Sequence, residues 1–600
     1  MANVSNALSS SKIHSDKDKI NADDKWHQKE SVEISFLISK FLAERGVDRI
    51  FSLCGGHILP MWDYAVRLGI RIIDVRDERA AVHMAQAHVE LTGKLGVAMV
   101  TAGPGMTNAV TGIANAHIAR VPLLVISGRP PRPQEFMGAL QDLPQIEIIK
   151  PITRYARTIK HAKHVLRELD EALACAAGQG NEPGPVFIDF PTDLLRMKIP
   201  VPLVDKDRFT SREVFYPDPP PEAVNRALDI LWSARRLVII SGRGARGAGR
   251  SIARLLVKLG CVYLDTAESK GLVPDDHPAS MPAVRGRAMQ EADVVLTLGR
   301  SLDFQLGYGS PAVFPQARFV RIGTTAAELR SNRRGDVEIY GSIATVLDVI
   351  LNRLGQGRLS IDAEWVDDLR RNDRTRRDKL QHQLTQAAPG ADGAMHPYRL
   401  LGGLKDVLDR DAVIIADGGD ILSFARIALT GGMYMDCGGF GCLGVGVPFG
   451  IAAALAYPDK QVVVVSGDGS FGINAIDLDT ARRHDARVVF VVANNYAWNI
   501  ELNDQIESYD GRIVGTELPS CDYAGLARAL GLHAERIEDP AKLPAALRQA
   551  LEKAPSLLDV IVTRDAVSPD GRSGIPVIPD LQPLVRWDEL ERVHSTKDAQ

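Results

Sequence analysis

Short, almost wholly apolar runs of residues alternate along this chain with longer segments in which apolar positions recur every three or four residues. The short runs include residues 96–100 (GVAMV), 236–240 (RLVII) and 461–466 (QVVVVS). Such runs are typical of strands buried on both faces of a parallel sheet, and the recurring positions are typical of helices. The alternation predicts an α/β fold built from doubly wound parallel sheets.

Polar and proline-rich stretches interrupt this alternation and predict the domain organisation. The interruptions lie near the two ends of the chain and between the predicted sheets. We expect, in chain order, a disordered arm at 1–30, α/β domains at 31–204 and 222–354, a helix-bearing connector at 355–397, a third α/β domain at 398–566 and a proline-rich tail at 567–600.

A pair of turns in the third domain carries the clearest chemistry. Gly467-Asp468-Gly469 ends the apolar run 461–466, and Asn494-Asn495 ends the next run, 486–493. Their spacing suits one strand–helix–strand crossover, so both turns would lie at the carboxyl edge, where open α/β sheets bind ligands. Mg²⁺ prefers oxygen ligands and is often shared with phosphates, while backbone N–H groups of Gly469 and Ser470 would suit a terminal phosphate. Each turn alone is common between strands, but the pair makes the chain a candidate thiamine-diphosphate enzyme.

A carboxyl group for the other end of such a cofactor is predicted in the first domain. A cofactor of this type needs a carboxylic acid beside N1′ of its pyrimidine ring to generate its reactive carbanion. Glu78 begins a helix-periodic segment after the predicted strand 72–75, which places it at the carboxyl edge of a sheet. Considered by itself, a glutamate in the first turn of a helix is also explained by the helix dipole.

The second domain contains a glycine-rich turn of a kind found in nucleotide-binding proteins. Residues 242–247 (GRGARG) follow a predicted strand, and Asp265 ends the next one. This arrangement alone would favour a nicotinamide dehydrogenase, but many α/β domains with such a turn bind other adenine ligands or none. The dehydrogenase interpretation is therefore the weaker one, and ADP stays an open prediction for this domain.

Composition narrows the classes of partner. The formal net charge is −4 and no dense block of lysine or arginine is present, so nucleic acid is not an expected partner. No apolar stretch is long enough to cross a membrane, and the polar N-terminus does not resemble a signal peptide, so we expect a cytoplasmic protein without a membrane partner. The six cysteines form no CxxC pair, which favours buried free thiols in a reducing compartment.

Four segments occur in the order and spacing of one known superfamily: 73–93, 100–110 (VTAGPGMTNAV), 438–454 (GGFGCLGVGVPFGIAAA) and 467–495. Over roughly residues 31–570 the chain resembles the thiamine-diphosphate decarboxylases and acetolactate synthases. The resemblance implies that the domains are pyrimidine-binding, central and diphosphate-binding, in that order. It also implies thiamine diphosphate and Mg²⁺ as cofactors, and a homodimer or homotetramer with active sites at subunit interfaces.

The resemblance assigns roles around the pyrimidine ring. Glu78 corresponds to the glutamate at N1′, and Leu443 to the bulky apolar residue that bends the cofactor into a V shape. Gly441 and Leu443 correspond to residues whose main chains contact the aminopyrimidine. Gln141 aligns with an active-site glutamine of the synthases, although a surface amide explains it equally well.

Further residues correspond to the metal and diphosphate site of the superfamily. Asp468, Asn495 and the carbonyl of Ala497 match the Mg²⁺ ligands. Gly419 keeps the pattern of the loop over the diphosphate. The next residues, 420–421 (DI), stand where several relatives have polar donors, so phosphate contacts from these two side chains are not expected.

Residues 494–505 (NNYAWNIELNDQ) are most similar to the 2-hydroxyacyl-CoA lyases, notably to a bacterial branch related to oxalyl-CoA decarboxylase. This similarity implies an acyl-CoA substrate whose C1–C2 bond is cleaved, reversibly, to formyl-CoA and an aldehyde or ketone. In that branch a glutamate at the position of Glu501 projects toward the cofactor, and we expect Glu501 to transfer protons unless it is merely salt-bridged. The branch also implies that the tail, 567–600, covers the active site, the alternative being a tail packed on the surface.

The main alternative is an acetolactate-synthase-like carboligase or decarboxylase that acts on 2-oxo acids. Decarboxylases of the pyruvate type have a His-His pair in the first domain, and none is found here. The synthases usually hold a flavin beside an acidic residue after the last central strand, whereas residues 322–326 (IGTTA) carry none, so FAD is not expected. A non-catalytic relative is disfavoured because Glu78, Asp468 and Asn495 are all present.

An acyl-CoA substrate also needs cations for its phosphates. Arginines on and beyond the glycine-rich turn are candidates, although a solvated surface position is the simpler explanation for any one of them. They are Arg243, Arg246, Arg250, Arg285 and Arg287.

Overall fold

The computed structural model describes residues 26–179, 182–211 and 215–568. The chain forms two compact units, and the boundary between them falls between residues 213 and 214. Residues 1–25 and 569–600, which hold most of the predicted arm and tail, lie outside the described residues.

The first unit alternates strands and helices. Its elements are β1 (Ser31–Glu33), α1 (Ile34–Glu44), β2 (Arg49–Ser52), α2 (Leu59–Arg67), β3 (Arg71–Asp74), α3 (Glu78–Thr92), β4 (Gly96–Val100), α4 (Pro104–Ile118), β5 (Leu123–Arg129), α5 (Gln145–Ile149), β6 (Tyr155–Thr158), α6 (Val165–Ala176), β7 (Val186–Pro191), α7 (Thr192–Leu195) and β8 (Lys198–Pro200).

A six-stranded parallel sheet in the order β3-β2-β4-β5-β7-β6 forms the centre of this unit, which we call the first sheet. Phe41 of α1, Ile50 of β2 and Leu124 of β5 have no exposed surface, because the helices cover the sheet. The chain runs outward from β2 to β3 and then returns to add β4 on the other side. The crevice between the carboxyl ends of β2 and β4 is therefore a topological switch point.

The second unit contains the remaining elements. They are α8 (Pro221–Ser233), β9 (Leu237–Ser241), α9 (Gly249–Leu259), β10 (Val262–Leu264), α10 (Arg285–Glu291), β11 (Val294–Leu298), β12 (Arg318–Gly323), α11 (Ala326–Arg330), β13 (Val337–Tyr340), α12 (Ile343–Leu354), α13 (Ala363–Gln386), α14 (Pro397–Val407), β14 (Val413–Asp417), α15 (Asp420–Ala428), β15 (Met433–Met435), α16 (Gly446–Ala456), β16 (Val462–Gly467), α17 (Asp468–Asn474), α18 (Leu478–Arg483), β17 (Val488–Asn494), α19 (Asn499–Ser508), α20 (Tyr523–Ala529), β18 (His533–Ile537), α21 (Leu543–Glu552) and β19 (Ser556–Ile561).

Two further parallel sheets organise this unit. The second sheet has five strands in the order β10-β9-β11-β12-β13, and the third has six in the order β15-β14-β16-β17-β19-β18. Each order reverses direction once, between β9 and β11 and between β14 and β16, which is the mark of double winding. The predicted fold class, α/β with three doubly wound parallel sheets, is confirmed.

Two predictions about the periphery need correction. The predicted disordered arm extends too far, because Trp26 packs on Phe36 and Phe209 with ring-centroid distances of 6.0 and 5.9 Å. All six cysteines are free, as expected, but Cys54 and Cys521 are exposed rather than buried. Both exposed thiols lie in loops, where the local sequence carries little information on burial.

Candidate active site

A cavity of about 350 Å³ lies at the carboxyl ends of β14 and β16, at the switch point of the third sheet. The residues after β14 (418–422) and after β16 (467–470) form two of its walls. The loop at 437–443 and the start of α19 form the others. This is the crevice in which open α/β sheets bind ligands, so the sheet itself identifies the site.

Asp468 and the loop that carries Asn495 come together at this edge. The register of β16 and β17 pairs Gly467 with Ala493, so the two segments leave neighbouring strands side by side. Asp468 is buried, and nearby backbone N–H groups, including those of Tyr496 and Ala497, act to lower its pKa. Burial nevertheless dominates and raises the pKa of Asp468 to about 7.

The donor set at Asp468 suits a hard cation that also holds a phosphate. Asn495 and Ala497 line the same cavity as Asp468, and the side-chain oxygen of Asn495 accepts from the backbone N–H of Ala497 at 3.1 Å. Among the described residues no group of three or more His, Cys, Asp or Glu side chains could hold a metal. Carboxylate, amide and carbonyl oxygens are ligands of the kind that Mg²⁺ accepts beside the oxygens of a phosphate.

Glycines form the wall against which a diphosphate would lie. A Cβ on Gly469 would fall 2.7 Å from the ring of Trp498, and a Cβ on Gly419 would fall 2.7 Å from Cδ1 of Ile500. Backbone N–H groups can approach a ligand closely only where such side chains are missing. The hydroxyl of Ser470 is engaged with Ser466 (2.9 Å), so its backbone N–H is the group left for a phosphate.

The loop that carries Gly441 and Leu443 is anchored by hydrogen bonds to Asp417, a residue that was not predicted from the sequence. Asp417, the last residue of β14, accepts hydrogen bonds from the backbone N–H groups of Gly444 (3.3 Å) and Gly446 (2.8 Å). Burial raises the pKa of Asp417 to about 6. A carboxylate at the end of an apolar strand and before two glycines was the signal that could have identified it.

Glu501 lies in the first turn of α19, is exposed, and lines the cavity. It forms no ion pair with any described residue, so the salt-bridged alternative finds no partner there. The start of α19 is fixed by Asn499, whose Nδ2 donates to Oδ2 of Asp420 at 2.9 Å. Asp420 also accepts from the backbone N–H of Ser568 at 3.2 Å.

Glu78 lies in the first unit, at the carboxyl edge of the first sheet. It begins α3, directly after Asp77 caps the helix by accepting from the N–H of Arg79. The Glu78 side chain is buried, and Oε2 accepts a hydrogen bond from Nδ2 of Asn108 at 3.0 Å. Gly105 faces the carboxylate, because a Cβ there would fall 3.1 Å from Oε1 of Glu78.

Gln141 also lies in the first unit, and its surroundings disfavour a simple surface amide. It is half-buried, has a left-handed backbone with φ +63°, and contacts Gly103. Its side chain hydrogen-bonds to His57, whose pKa is lowered by burial and partly restored by this bond. His57 also lies 3.2 Å from Oγ1 of Thr101, at the switch point of the first sheet. Sequence reasoning missed His57, although its position just after β2 was a usable signal.

Three family models match the chain in order along its length. The model of the thiamine pyrophosphate enzyme N-terminal TPP binding domain matches residues 32–148, that of the central domain residues 224–350, and that of the C-terminal TPP binding domain residues 420–560. The chain belongs to the thiamine pyrophosphate enzyme family. Thiamine diphosphate is therefore its cofactor, and the predicted superfamily is confirmed.

Relatives within the thiamine pyrophosphate enzyme family carry two kinds of name. The chain is similar to the 2-hydroxyacyl-CoA lyase 2 of Caenorhabditis elegans, with 32% identity over 84% of each chain. It is similar to the human 2-hydroxyacyl-CoA lyase 2, with 30% identity over 82% of this chain and 83% of the relative. An acetolactate synthase large subunit of Mycobacterium tuberculosis is 32% identical over 89% of this chain and 96% of the relative.

The glycine-rich turn of this family member does not face an open phosphate crevice. At the switch point of the second sheet, a Cβ on Gly244 would fall 2.6 Å from Oε1 of Glu328. The Glu328 carboxylate also accepts from the backbone N–H of Thr324 at 2.8 Å. Buried Arg300 lies on the other side, beside Gly242. The arrangement adds no support to the prediction of ADP in this domain.

Most of the candidate arginines for acyl-CoA phosphates are engaged within the protein. Arg250 is exposed on α9, and the other four are partly buried. Their acceptors are the carboxylate of Glu268 for Arg243, the carbonyl of Glu268 for Arg246, the carbonyl of Asp265 for Arg285, and Glu291 with Asp368 for Arg287.

Among the described residues no helix combines the length and the apolar character that a membrane crossing requires. The longest helix, α13, has 24 residues, but its sequence is rich in charged side chains. Its arginines Arg370, Arg371 and Arg377 pair with acids three or four positions earlier on the same helix. Arg371 is exposed, as on a solvated helix face, whereas Asp373 is buried and Arg377 also donates to the backbone carbonyls of Asp275 and Ser280.

Proposed function

We propose that this enzyme cleaves the C1–C2 bond of a 2-hydroxyacyl-CoA to formyl-CoA and an aldehyde or ketone. In this reaction the 2-hydroxyl group loses its proton as C2 becomes a carbonyl carbon. The electron pair of the broken bond remains on C1, which then takes up a proton to become the formyl group. Five of the relatives that carry the name 2-hydroxyacyl-CoA lyase match at 28–32% identity and support this proposal.

The charge of the cavity at the third sheet is the observation that carries the proposal. Arg426 is the only cation among the described residues that line it, and Nε of Arg426 donates to Oδ2 of Asp436 at 3.0 Å. A free 2-oxo acid brings a carboxylate, which needs a cation or several donors when it leaves water. A thioester is uncharged at its reacting end. The cavity therefore suits the thioester better than the 2-oxo acid of an acetolactate-synthase-like reaction.

The predicted site residues would have separate roles in binding and proton transfer. Thiamine diphosphate supplies an electron sink that stabilises negative charge on the carbon left by bond cleavage. Glu501, exposed at the cavity, would move a proton from the 2-hydroxyl oxygen toward C1. Glu78 would hydrogen-bond to N1′ of the pyrimidine, while Gly441 and Leu443 would contact and bend the cofactor. Gln141 would contact the substrate.

The proposal also includes a Mg²⁺ site and an oligomeric enzyme. Asp468, the side chain of Asn495 and the carbonyl of Ala497 would hold Mg²⁺, because the buried carboxylate with a pKa raised to about 7 calls for a nearby cation. Gly419, Gly469 and Ser470 would bind the diphosphate through their backbones. We also propose a homodimer or homotetramer in which subunits share active sites.

A side-by-side assay of two substrates tests the reaction. Purified protein with Mg²⁺ and thiamine diphosphate is incubated with 2-hydroxyisobutyryl-CoA or with pyruvate, and products are followed by mass spectrometry. We expect formyl-CoA and acetone from the thioester and no product from pyruvate. Acetolactate or CO₂ from pyruvate without formyl-CoA would exclude the lyase proposal in favour of the synthase alternative.

The same assay tests Glu501. Glu501→Gln keeps the size and the hydrogen bonding of the side chain but removes the proton acceptor, so we expect formyl-CoA production to fall by about 100-fold or more. Glu507→Gln is the matched control, since Glu507 is exposed on the same helix and does not line the cavity. Full activity of the Glu501→Gln protein would remove Glu501 from the mechanism.

A further inference from the structure

Two residues that follow the second sheet enter the cavity of the third. Phe304 and Gln305 lie in a turn after β11, and they are the lining residues of the cavity that come from the segment of the second sheet. Gln305 is half-buried, so part of its side chain faces the open space. No residue of this turn was singled out from the sequence.

A buried arginine fixes the orientation of the Gln305 amide. Nη2 of Arg300 donates to Oε1 of Gln305 at 2.8 Å. A guanidinium group has only donors, so a flipped amide would set its NH₂ group against the guanidinium. The Nε2 group of Gln305 therefore faces away from Arg300, and it donates to no acceptor among the described residues.

Arg300 is itself held too firmly to release this contact. Only 2% of it is exposed, and it donates to both carboxylate oxygens of Asp303 at 2.8 Å. It follows β11 at the switch point of the second sheet, where a Cβ on Gly242 would fall 2.5 Å from its Cδ. Asp303 also accepts from the backbone N–H of Gln305 at 3.0 Å. The amide is thus fixed at both its main chain and its side chain.

A fixed amide N–H₂ group is a neutral hydrogen-bond donor. It complements an uncharged oxygen, such as a thioester carbonyl or a hydroxyl, and it does not balance the charge of a carboxylate as a guanidinium would. Arg426, the one cation among the described residues that line the cavity, is already paired with Asp436. The chemistry of the cavity therefore selects for an uncharged acceptor at Gln305.

We propose that Gln305 binds an uncharged oxygen of the acyl-thioester substrate and that it determines specificity against free 2-oxo acids. Arg300 and Asp303 are the positioning residues that present its N–H₂ group. This inference rests on the proposed lyase function. It adds a residue from the central part of the chain to the cavity at the third sheet.

Gln305→Glu is the variant that tests the proposal. The glutamate has the same shape and retains an oxygen for Arg300, but it replaces the N–H₂ donor with a second acceptor. We expect KM for 2-hydroxyisobutyryl-CoA to rise by about tenfold, because one hydrogen bond is lost and two acceptors then face each other. The values of kcat and of the affinity for thiamine diphosphate are expected to change little. Gln290→Glu, at an exposed position of α10, controls for the added charge and is expected to match the wild type.

The outcomes separate this inference from the function on which it rests. Formyl-CoA production by the wild type, with the same KM in the Gln305→Glu protein, would overturn the role of Gln305 alone. A parallel loss of cofactor affinity in Gln305→Glu would also overturn it, since a substrate-binding residue should leave that affinity intact. Turnover of pyruvate by the wild type, with no formyl-CoA, would overturn both proposals.

Discussion

Asp468 is a buried carboxylate at the ligand crevice whose charge is not balanced by a cationic side chain in the hydrogen bonds and ion pairs of the described residues. Asp468 is 3% exposed, and the backbone N–H groups around it do not prevent burial from raising its pKa to about 7. Glu78 and Asp420, by comparison, each accept a hydrogen bond from an asparagine side chain, Asn108 and Asn499 respectively. An unbalanced carboxylate at a ligand crevice is what a cation site presents before the cation binds.

Asp189, inside β7, allows a pH-dependent prediction at this scale. It has no exposed surface, and burial raises its pKa from 3.8 to about 6, although Gln145 donates to it at 2.9 Å. The folded-state pKa exceeds the unfolded one, so ionisation destabilises the fold. This destabilisation by the ionised carboxylate is absent below pH 4, grows between pH 4 and 6, and stays constant above pH 6. We expect Asp189→Asn to gain stability relative to the wild type by up to about 3 kcal/mol between pH 4 and 7.

Urea unfolding of both proteins at pH 4 and pH 7 measures this difference. Asp193→Asn is the control, because its change in the free energy of unfolding at pH 7 is expected to have the opposite sign. Although burial opposes it, hydrogen bonds from Arg132 lower the pKa of Asp193, so its carboxylate stabilises the fold above the unfolded pKa and loses that effect in acid. Asp193→Asn should therefore lose stability at pH 7. An Asp189→Asn difference that is equal at both pH values would contradict the assignment.

At the scale of elements, the candidate site depends on helices that begin where strands end. Helix α17 begins at Asp468 directly after β16, and α15 begins two residues after the end of β14. The loop after β17 is held against α17 by Trp498, which lies over Gly469. The pairing of β16 with β17 and the close contact between the Trp498 ring and the Gly469 backbone together position the metal-ligand candidates on the two segments.

Gly469→Ala tests this contact. Its Cβ would fall 2.7 Å from the indole of Trp498, so the ring and the loop with Asn495 must move. We expect the affinity for Mg²⁺ with thiamine diphosphate, measured by calorimetry, to fall by about tenfold or more. Gly472→Ala on the same helix is the matched control, because its Cβ would meet only the hydroxyl of Tyr523, at 3.8 Å. Equal affinities of the two variants would show that the contact does not position the site.

On the scale of the whole molecule, the predicted site residues are divided between the two units. Glu78 and Gln141, together with His57, belong to the first unit, whereas Asp468, Asn495 and Glu501 belong to the second. Shared active sites in an oligomer are part of our proposal, and they make a specific prediction about mixed subunits.

Complementation between two inactive variants tests the shared sites. Glu78→Gln and Asp468→Asn are each expected to be inactive. If each site takes Glu78 from one subunit and Asp468 from another, co-expressed variants form hybrid dimers in which one of the two sites is intact, and the purified hybrids recover about half of the wild-type activity. Two differently tagged chains purified in tandem provide the sample. No recovery in verified hybrids would mean that each site is built within one chain.

The sequence by itself determined the strands, the fold class and most residues at the ends of strands. Apolar runs and helical periodicity are local properties, so they located β16 within one residue of the predicted 461–466. The pairing of Asp468 with Asn495 followed from the same logic, since parallel neighbours end at one edge. The resemblance to a known superfamily then supplied the cofactor, which the family models support.

Only the tertiary structure decided which side chains meet across the chain. Arg300, Asp303 and Gln305 form a local group, but the entry of Gln305 into the cavity of another sheet leaves no periodic signal in the sequence. The same holds for Asp417 below the 441–446 loop, for His57 beside Gln141, and for Glu328 over the glycine-rich turn. Burial, hydrogen-bond partners and the resulting pKa shifts depend on contacts between distant segments, and a sequence pattern records only near neighbours.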